Sequence, residues 1–350
     1  MRFQFGPFLL VLGLMFIWFL RSIDINLPEI KYHPKYPGAK IIHFWEKPVW
    51  VSPYSFQNCQ QKCEITEGEY IPANADVVIF HSPYLWLTRA PEKPRGQIWV
   101  FFSMEPPVNH KLSFNNWYNV FNWTMTYRRD SDILYPYGIF RNSTSNNRIQ
   151  KKIKPRNKKT AAWFVSNCHT QSKREEFGRL LQKYIDIDIY GKCGSHICDR
   201  QGSDASCLER LDNAYNFYLS LESNLCRDYV TEKFFKIYKL SNVIPVVRGH
   251  VNYEMYGPVG SFIDTSGFTS PVTFSRHLVS VATNEELFST FFQYKNRYYM
   301  DDGHEHPFCE LCRRVHNASS YQRLYGNIGH WLSGSDLVPI CSQPKDLKLL

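Results

Sequence analysis

The stretch that most constrains the fold of this chain is residues 215–249, where strand, loop, helix and strand signals follow one another. An aromatic and aliphatic run at 215–221 leads through a polar loop into about two to three helical turns and a short apolar run. A strand, a helix and a second strand in this order form one parallel α/β unit. Because ligands bind at the loops that follow such strands, residues 222–233 are candidate site residues.

The predicted helix of this unit begins with three polar residues, Thr231, Glu232 and Lys233. Thr231 is a suitable N-cap, and the unpaired N–H groups of the first turn attract anions. A lysine in that turn opposes the helix dipole, which costs about 0.3 to 1 kcal/mol on an exposed helix. A phosphate bound between the backbone amides and the Lys233 ammonium would reverse this effect. The alternative is a solvated lysine beside a solvated glutamate.

Further apolar runs predict buried strands in two groups, one on each side of the middle of the chain. These runs are 41–45, 75–80, 97–102, 160–165 and 185–190. A helix with apolar residues at positions 177, 180, 181 and 184 joins the last two runs. A length of 350 residues exceeds one small core and indicates two domains. The predicted fold class is α/β, with a Rossmann-like βαβ arrangement in the second domain.

Three charged residues lie at the ends of predicted strands and helices. No G-x-G-x-x-G or P-loop signature is present, so a bound nucleotide would need side-chain cations. Arg174 and Lys233, each near the start of a predicted helix, are the candidates. Glu105 follows the strand at 97–102, at the edge where open α/β sheets carry their chemistry. The alternative for Glu105 is an ordinary glutamate in a surface loop.

The N-terminal residues predict a membrane anchor and a stem. Residues 3–20 are uncharged and mostly apolar, near the lower limit of what spans a bilayer. No small-residue cleavage pattern follows, so an uncleaved signal anchor is favoured over a cleaved signal peptide. Residues 22–40 contain three prolines and a glycine, which is typical of a short extended stem.

Cysteines and glycosylation sequons indicate the compartment. The ten cysteines and three Asn-x-Ser/Thr sequons favour an oxidising, glycosylating lumen. The candidate glycosylation sites are Asn122, Asn142 and Asn317. Cys309 and Cys312 lie near three histidines, a pattern that allows a zinc site. Disulfides are favoured in such a lumen, and long-range pairs involving Cys59 and Cys63 would tie the tail back to the first domain.

The charge pattern favours a small anionic ligand over nucleic acid. The net charge is +9, but the basic residues are interleaved with 32 acidic ones. One local cluster, Arg128 and Arg129 with Asp130 and Asp132, predicts an ion-pair network. The alternative is that these arginines face an anionic ligand.

Three longer motifs carry a resemblance to a known family. They are FNWTMTYRRDSDILYPYG at 121–138, the Ser-Met-Glu-Pro-Pro turn at 103–107, and NFYLSLESNLCRDYVTEKFFKIYKLSNVIPVVRG at 216–249. Together they resemble the α1,3-fucosyltransferase family of the Golgi, from about Cys63 to Tyr299. The resemblance implies a GT-B fold, in which two Rossmann-like domains face a cleft, preceded by a signal-anchor helix. The implied regions are a cytoplasmic tip and anchor at 1–21, a stem at 22–40, an acceptor domain at 41–150, a GDP-fucose domain at 151–300, and a cysteine-containing tail at 301–350 that packs on the first domain.

The same resemblance implies an inverting transfer of fucose from GDP-fucose to a glycan that contains N-acetylglucosamine. Glu105 matches the general base on the acceptor hydroxyl, and Arg174 and Lys233 match the cations on the donor phosphates. Glu232 matches the carboxylate that holds the ribose. Further implied donor-site residues are Tyr218, Tyr229, Ser166 and Asn167. No tightly bound cofactor and no metal site are expected, although a divalent cation, Mn or Mg, could stimulate transfer.

One motif departs from the family pattern. Where the family usually has Glu-Asn-Ser, this chain has Glu222-Ser223-Asn224. Either the asparagine that reaches the donor is displaced by one position, or Ser223 takes over its role. Ser223 and Asn224 are therefore both candidate donor-site residues.

The resemblance also implies a location and a set of partners. The chain would be a single-pass type II protein of the Golgi membrane, anchored through residues 3–20, with its catalytic part in the lumen. Its acceptors would be N-glycans or lactosamine-type glycans, and nucleic acid is not an expected partner. One alternative is a transferase that uses another sugar nucleotide on the same scaffold. The other is a non-catalytic luminal glycan-binding protein.

Overall fold

The structure is a computed structural model that describes residues 31–349, apart from several gaps. The gaps are 53, 86–88, 111–113, 115, 144–152, 156–158, 197–210, 212–213, 241, 303–304 and 336. The predicted anchor and the first part of the predicted stem lie outside the described residues. Within the described part of the chain, no helix is long and apolar enough to cross a membrane.

The first half of the chain forms a six-stranded sheet. Its strands are β1 Lys40–Phe44, β2 Cys63–Glu67, β3 Val77–His81, β4 Ile98–Ser103, β5 Trp123–Thr126 and β6 Ile133–Leu134. All neighbouring pairs are parallel, in the order β2-β1-β3-β4-β5-β6. β3 is almost wholly apolar because both faces of the sheet are covered, with Ile79 in one core cluster and Phe80 in another.

The predicted strands of this half correspond to β1, β3 and β4. The fifth strand, β5, was not predicted because its sequence alternates apolar residues with Thr124 and Thr126. Both threonines are nevertheless buried, and their hydroxyls form hydrogen bonds with Asp132 and Ser131. Pairing of these hydroxyls removes the usual penalty for burying a polar group.

The second half of the chain forms a five-stranded parallel sheet. Its strands are β8 Lys159–Phe164, β9 Ile187–Tyr190, β10 Tyr215–Leu221, β11 Ile244–Arg248 and β12 Ile263–Asp264. The order is β12-β11-β10-β8-β9. The strand predicted at 215–221, β10, therefore lies at the centre of the sheet. Every residue of β10 is buried, as expected of a central strand covered on both faces. The α/β prediction with two parallel sheets is confirmed.

Six α-helices accompany the sheets in the described part of the chain. They are α1 Arg174–Leu181, α2 Glu232–Leu240, α3 Pro271–Thr283, α4 Glu285–Thr290, α5 Glu305–His316 and α6 Ile328–Ser333. A two-stranded antiparallel ladder joins β7 Ile139–Asn142 to β13 Tyr298–Asp301. Phe140 of β7 packs edge-on against Tyr238 of α2, with ring centroids 4.8 Å apart. Residues 139–142 therefore pack with the second half, ahead of the boundary predicted at 150.

Four disulfides lie among the described residues: Cys59–Cys309, Cys63–Cys312, Cys168–Cys193 and Cys226–Cys341. The first two confirm the predicted long-range pairing of the tail with the first half. They also consume the thiols that the alternative zinc site would have needed. Cys198 and Cys207 lie outside the described residues.

The tail packs on the second half in addition to the first domain, on which the prediction placed it. Phe308 of α5 packs against Phe56 in the first core, with centroids 5.5 Å apart. Further along, Cys341 is bonded to Cys226 in the second half. The buried Arg248, at the end of β11, requires a counter-charge, and this part of the tail supplies one.

The three sequon asparagines differ in their surroundings. Asn142 and Asn317 are exposed, although the threonine of the Asn142 sequon lies outside the described residues. Asn122 is half-buried, and its Oδ1 accepts hydrogen bonds from the Trp99 N–H (2.9 Å) and from Lys93 Nζ (2.6 Å). Its Nδ2, the atom that would carry a glycan, donates to the carbonyl oxygen of Arg323 at 3.0 Å. Asn122 is thus an internal connector between β4, β5 and the tail.

Candidate functional site

The candidate site lies where the carboxyl ends of the two sheets meet. Glu105 follows β4 in the first sheet, and the loop 222–231 connects β10 to α2 in the second. The ring of Tyr229 in this loop packs edge-on against Tyr127, which follows β5, with centroids 5.1 Å apart. The loop of the second sheet therefore contacts the strand ends of the first.

A tight turn at the end of β4 holds Glu105. The Ser103 hydroxyl accepts a hydrogen bond from the Glu105 N–H at 3.2 Å. Two prolines follow, and the short 3₁₀ turn Pro107–Asn109 brings the Asn109 amide to Oε2 of Glu105, 2.6 Å away. No described residue donates a hydrogen bond to the other carboxylate oxygen, Oε1. The half-buried carboxylate is thus oriented by one oxygen while the other can accept a proton.

The pKa of Tyr229 depends on carboxylates from both sheets. Burial raises the pKa of Tyr229, and the carboxylates of Glu222 and Glu105 raise it further. The ring also packs edge-on against Tyr137, whose hydroxyl donates to the carbonyl oxygen of Met104 at 2.6 Å. Tyr229 therefore connects the turn that carries Glu105 with the loop that carries Glu222.

A buried carboxylate, Glu222, organises the start of α2. Its two oxygens accept hydrogen bonds from the backbone N–H and the hydroxyl of Thr231, both at 2.8 Å. Lys233 Nζ donates to the same hydroxyl at 2.8 Å and to Glu232 Oε1 at 3.0 Å, and it lies 3.7 Å from Glu222 Oε2. The predicted N-terminal turn is confirmed, and its ammonium group is held beside two carboxylates.

The charges of this turn support one another. Burial lowers the pKa of Lys233, but the carboxylates of Glu222 and Glu232 outweigh burial, so that the net pKa is raised. Burial likewise raises the pKa of Glu232, and the Lys233 ammonium reverses this, leaving the pKa below its ordinary value. Lys233 is therefore a cation and Glu232 an anion at neutral pH.

Arg174 is the first residue of α1 and is buried. Its Nη1 donates to the carbonyl oxygen of Leu221 at 3.0 Å, and its Nη2 donates to that of Asn167 at 3.4 Å. The buried Nε–H has no hydrogen-bond partner among the described residues. An unsatisfied donor on a buried guanidinium is an unusual feature that an anionic ligand would satisfy. Arg174 thus brings positive charge to the carboxyl end of β10.

The other predicted donor-site residues occupy different depths. Tyr218 is buried within β10. Burial raises its pKa, Lys233 lowers it and Glu232 raises it. Nζ of Lys236 in α2 lies 6.0 Å from the centroid of the Tyr218 ring. Ser166 and Asn167 follow β8 at the surface, and Asn167 contacts Arg174 through its carbonyl oxygen.

The departure from the family motif has a clear geometry. Asn224 is buried, and its Oδ1 accepts a hydrogen bond from the Ser223 hydroxyl at 2.8 Å. Ser223 is half-buried. The more accessible of the two side chains is therefore that of Ser223, and Asn224 fixes the orientation of its hydroxyl.

A large cavity among the described residues lies elsewhere. It measures about 1080 Å³, and its walls include Arg129, Asp228, Tyr256 and Phe292. None of Glu105, Arg174 and Lys233 lines it. Chemistry at the strand ends, rather than cavity size, identifies the candidate site.

Sequence reasoning missed the structural part played by Glu222. A usable signal was present, because Glu222 follows a buried strand directly, as Glu105 follows β4 by two residues. It also missed Arg248, whose Nη1 donates to the carbonyl oxygen of Ser172 at 2.9 Å. No local pattern signals a contact between residues so far apart in the chain.

Comparison with protein families assigns a class to this arrangement. A family model described as "Fucosyltransferase, N-terminal" matches residues 37–138. A second, described as "Glycosyltransferase family 10 (fucosyltransferase) C-term", matches residues 154–331. The two matches cover both sheets and the candidate site, so the chain is a glycosyltransferase.

Individual relatives agree with this class. Alpha-(1,3)-fucosyltransferase C of Drosophila melanogaster is 34% identical over 77% of this chain and 69% of its own length. Alpha-(1,3)-fucosyltransferase 7 of Homo sapiens is 32% identical over 77% of this chain and 78% of its own length. The chain belongs to glycosyltransferase family 10, the fucosyltransferases.

A solved structure shares the fold. It is an alpha1,3-fucosyltransferase crystallised with GDP-fucose, with a TM-score of 0.53 and 15% sequence identity. The match covers 84% of this chain and 96% of that chain. At this identity the likeness concerns the fold alone, and it extends across both sheets.

Proposed function

We propose that this chain is an α1,3-fucosyltransferase that moves fucose from GDP-fucose to a glycan, with inversion at the anomeric carbon. The two sheets would form the two domains of a GT-B fold. The observation that carries the proposal is the contact of Tyr229, in the loop 222–231 of the second sheet, with Tyr127 and Tyr137 at the strand ends of the first sheet. A donor bound over the second sheet would face a base on the first.

On the donor side, the proposal assigns the leaving group to fixed cations. As the bond from the fucose carbon to the phosphate breaks, GDP leaves with the electron pair, and negative charge grows on its phosphate. Lys233 and Arg174, at the starts of α2 and α1, would stabilise this charge. Glu232, whose side chain is 54% exposed, would accept hydrogen bonds from the ribose hydroxyls.

The remaining donor contacts follow from position. Ser223, rather than Asn224, would reach the donor, because the asparagine is turned into the protein. Tyr229 would border the sugar, while Tyr218, buried below, would support the charged turn. Ser166 and Asn167 would border the opposite side of the pocket beside Arg174. Stimulation by Mn or Mg is an added expectation, and the proposed charge stabilisation does not depend on it.

On the acceptor side, Glu105 would act as the general base. Its free oxygen Oε1 would take the proton of the acceptor hydroxyl as the hydroxyl oxygen attacks the fucose carbon. Asn109 would keep the carboxylate in place through its 2.6 Å bond to Oε2. Separation of base and donor on different sheets restricts attack by water until both substrates are bound.

An exposed aromatic ring supports a sugar as acceptor. Trp50 is 48% exposed, is stacked on Tyr135 with centroids 5.8 Å apart, and packs edge-on against Phe102 near the end of β4. A cavity of about 410 Å³ beside it is also lined by polar groups, from Ser52, Tyr54, Ser55 and Gln57. A flat apolar ring surrounded by hydroxyl and amide groups matches the mixed surface of a pyranose.

The compartment is part of the same proposal. Four disulfides among the described residues agree with an oxidising lumen. Residues 3–20 would anchor the chain in the Golgi membrane as a single-pass type II protein, with both sheets in the lumen.

The direct test is an acceptor screen. The part of the chain from about residue 30 would be incubated with GDP-fucose and two groups of acceptors, lactosamine-type glycans and N-glycans with an exposed chitobiose core. We expect fucose on the 3-hydroxyl of N-acetylglucosamine in one group, with equimolar release of GDP. Absence of transfer and of GDP release with every acceptor would contradict the enzyme and favour a glycan-binding protein. Transfer from a different sugar nucleotide would contradict the assignment of GDP-fucose as the donor.

A further inference from the structure

A segment near the C-terminus links the two halves beside the candidate site. It comprises residues 337–346, here named the strap, and it lies beyond residue 331, where the family match ends. Immediately before it, α6 packs against the first half, and Arg128 Nη1 donates to the carbonyl oxygens of Trp331 (2.6 Å) and Leu332 (3.1 Å). The strap then continues onto the second half.

The strap is joined by covalent and hydrogen bonds to the loop 222–231, here named the donor loop. Cys341 forms a disulfide with Cys226, three residues before Tyr229. On either side of this disulfide, the Arg227 N–H donates to the carbonyl oxygen of Ile340 at 2.8 Å, and the Ser342 N–H donates to that of Leu225, also at 2.8 Å. The strap therefore fixes the backbone of the loop at consecutive residues.

A glutamine side chain strengthens the same junction. Gln171 Nε2 donates to the carbonyl oxygen of Ser342 at 2.7 Å. Its Oε1 accepts from the N–H of Leu225 at 2.9 Å. Gln171 lies three residues before Arg174, so the strap contacts the segments that carry both Tyr229 and Arg174.

The far end of the strap neutralises a buried arginine. Asp346 accepts two hydrogen bonds from Arg248, at 2.5 and 2.9 Å. Arg248 is buried and donates to the carbonyl oxygen of Ser172 at 2.9 Å. Ser172 in turn donates through its N–H to the carbonyl oxygen of Ser223 (3.0 Å) and through its hydroxyl to that of Glu222 (2.7 Å).

We propose that the strap is a positioning element for the donor site, acting through Cys226 and Arg248 on the residues that hold the diphosphate. The inference rests on the proposed function for the identity of the donor. Removal of the Asp346 charge leaves Arg248 buried and unpaired, so the turn at Ser172 shifts together with Arg174. A displacement of about 1 Å at a binding group can change rates or affinities by up to about a hundredfold.

The first test removes the Asp346 charge. Binding of GDP to the purified full-length protein is measured by calorimetry for wild type, Asp346→Asn and Asp346→Glu. We expect the Asn variant to bind GDP about tenfold more weakly and the Glu variant to recover part of the loss. The control is Asp302→Asn, because the two aspartates are similarly exposed and each is paired with a cation. Asp302 is 46% exposed and paired with Lys239, and Asp346 is 42% exposed and paired with Arg248. The control should bind GDP like wild type.

The second test removes the covalent link. Cys226→Ser/Cys341→Ser is compared with Cys63→Ser/Cys312→Ser, which breaks a disulfide of larger sequence separation, 249 against 115 residues. Removal of the Cys63–Cys312 disulfide, which closes the longer loop, should cost at least as much conformational stability as removal of Cys226–Cys341. We nevertheless expect only the Cys226/Cys341 variant to have weaker GDP affinity and a higher KM for the donor, with the KM for the acceptor unchanged.

The outcomes separate the inference from the proposed function. If wild type binds no GDP, the proposed donor is wrong. If wild type binds GDP and both Asp346→Asn and the Cys226/Cys341 variant bind it equally well, the strap is not a positioning element. If the cysteine variant does not fold, the Asp346 series decides alone. If Asp302→Asn and the Cys63/Cys312 variant lose as much GDP affinity as the test variants, the effect is one of general stability, and the inference is overturned.

Discussion

The ammonium group of Lys233 is the cation that α2 places at the carboxyl end of the second sheet. It is paired with Glu222 and Glu232 within the protein, so a bound diphosphate would add charge-assisted hydrogen bonds to an oriented donor. We expect Lys233→Ala to weaken GDP binding by about 1.5 to 3 kcal/mol. The measurement is titration calorimetry with GDP.

A lysine on the same helix provides the control for this prediction. Lys239, near the other end of α2, is paired with Asp302 at the surface. Lys239→Ala should bind GDP like the wild-type protein. Equal affinity of the two alanine variants would rule out Lys233 as a phosphate ligand.

Asn122 gives a second prediction for a single residue. Its Nδ2 is already committed to the carbonyl oxygen of Arg323, and Thr124 of the same sequon is fully buried. A glycan on that nitrogen would remove the hydrogen bond and separate the tail from β5. We expect glycopeptide mass spectrometry of the secreted, folded protein to find Asn122 unmodified. Occupancy at the exposed Asn142 serves as the internal control, and a glycan on Asn122 would contradict the structure.

Single residues differ in how far the sequence alone predicts them. Lys233 and Arg174 could be selected because helix starts attract anions. Glu105 could be selected because it follows a buried strand. The carboxylate of Glu222 and the Asp346 partner of Arg248 could not, because their significance depends on burial and on partners distant in the chain.

At the scale of elements, the end of β3 predicts a pH dependence of stability. Burial, with a smaller contribution from the neighbouring His110, lowers the pKa of His81 from 6.5 to about 4. A histidine with a depressed pKa in the folded state stabilises the protein above its unfolded pKa, and this contribution is lost as pH falls towards 4. We expect His81 alone to cost about 2 kcal/mol of the free energy of unfolding between pH 7 and pH 5.

The measurement is the melting temperature of the protein as a function of pH. His81→Gln should flatten the acidic decline between pH 6.5 and 4, while a substitution of the exposed His250 by glutamine should leave it unchanged. An identical decline in wild type and His81→Gln would show that His81 is not the group responsible.

Elements with continuous apolar runs were predictable, and elements with mixed sequences were not. Both faces of the sheet are covered at β1, β3, β4 and β10. The sequences of these strands are therefore almost continuously apolar. β5 escaped prediction because its buried threonines are satisfied by hydrogen bonds supplied from 131–132. β7 and β13 pair with each other across more than 150 residues, and a short, partly exposed strand leaves no local signal.

At the scale of the whole molecule, the chain folds as two parallel sheets joined by the loop around Tyr229 and by the tail. The two-sheet division could be predicted from length and from the α/β order of the signals. The arrangement of the tail could not, because disulfide connectivity and the pairing of Arg248 with Asp346 are properties of the three-dimensional fold. These connections place the donor loop against the strand ends of the first sheet.

The central claim is that Glu105 on one sheet acts as base towards a donor held on the other. Its most direct test is Glu105→Gln, with transfer and GDP binding measured on the same preparation. We expect transfer to fall by roughly a hundred- to ten-thousandfold, while GDP affinity stays within a factor of about two because no donor cation is changed. The exposed Glu67, in the same sheet, provides the control variant Glu67→Gln, which should retain full transfer. Undiminished transfer by Glu105→Gln, or a loss of GDP affinity as large as the loss of transfer, would contradict the account.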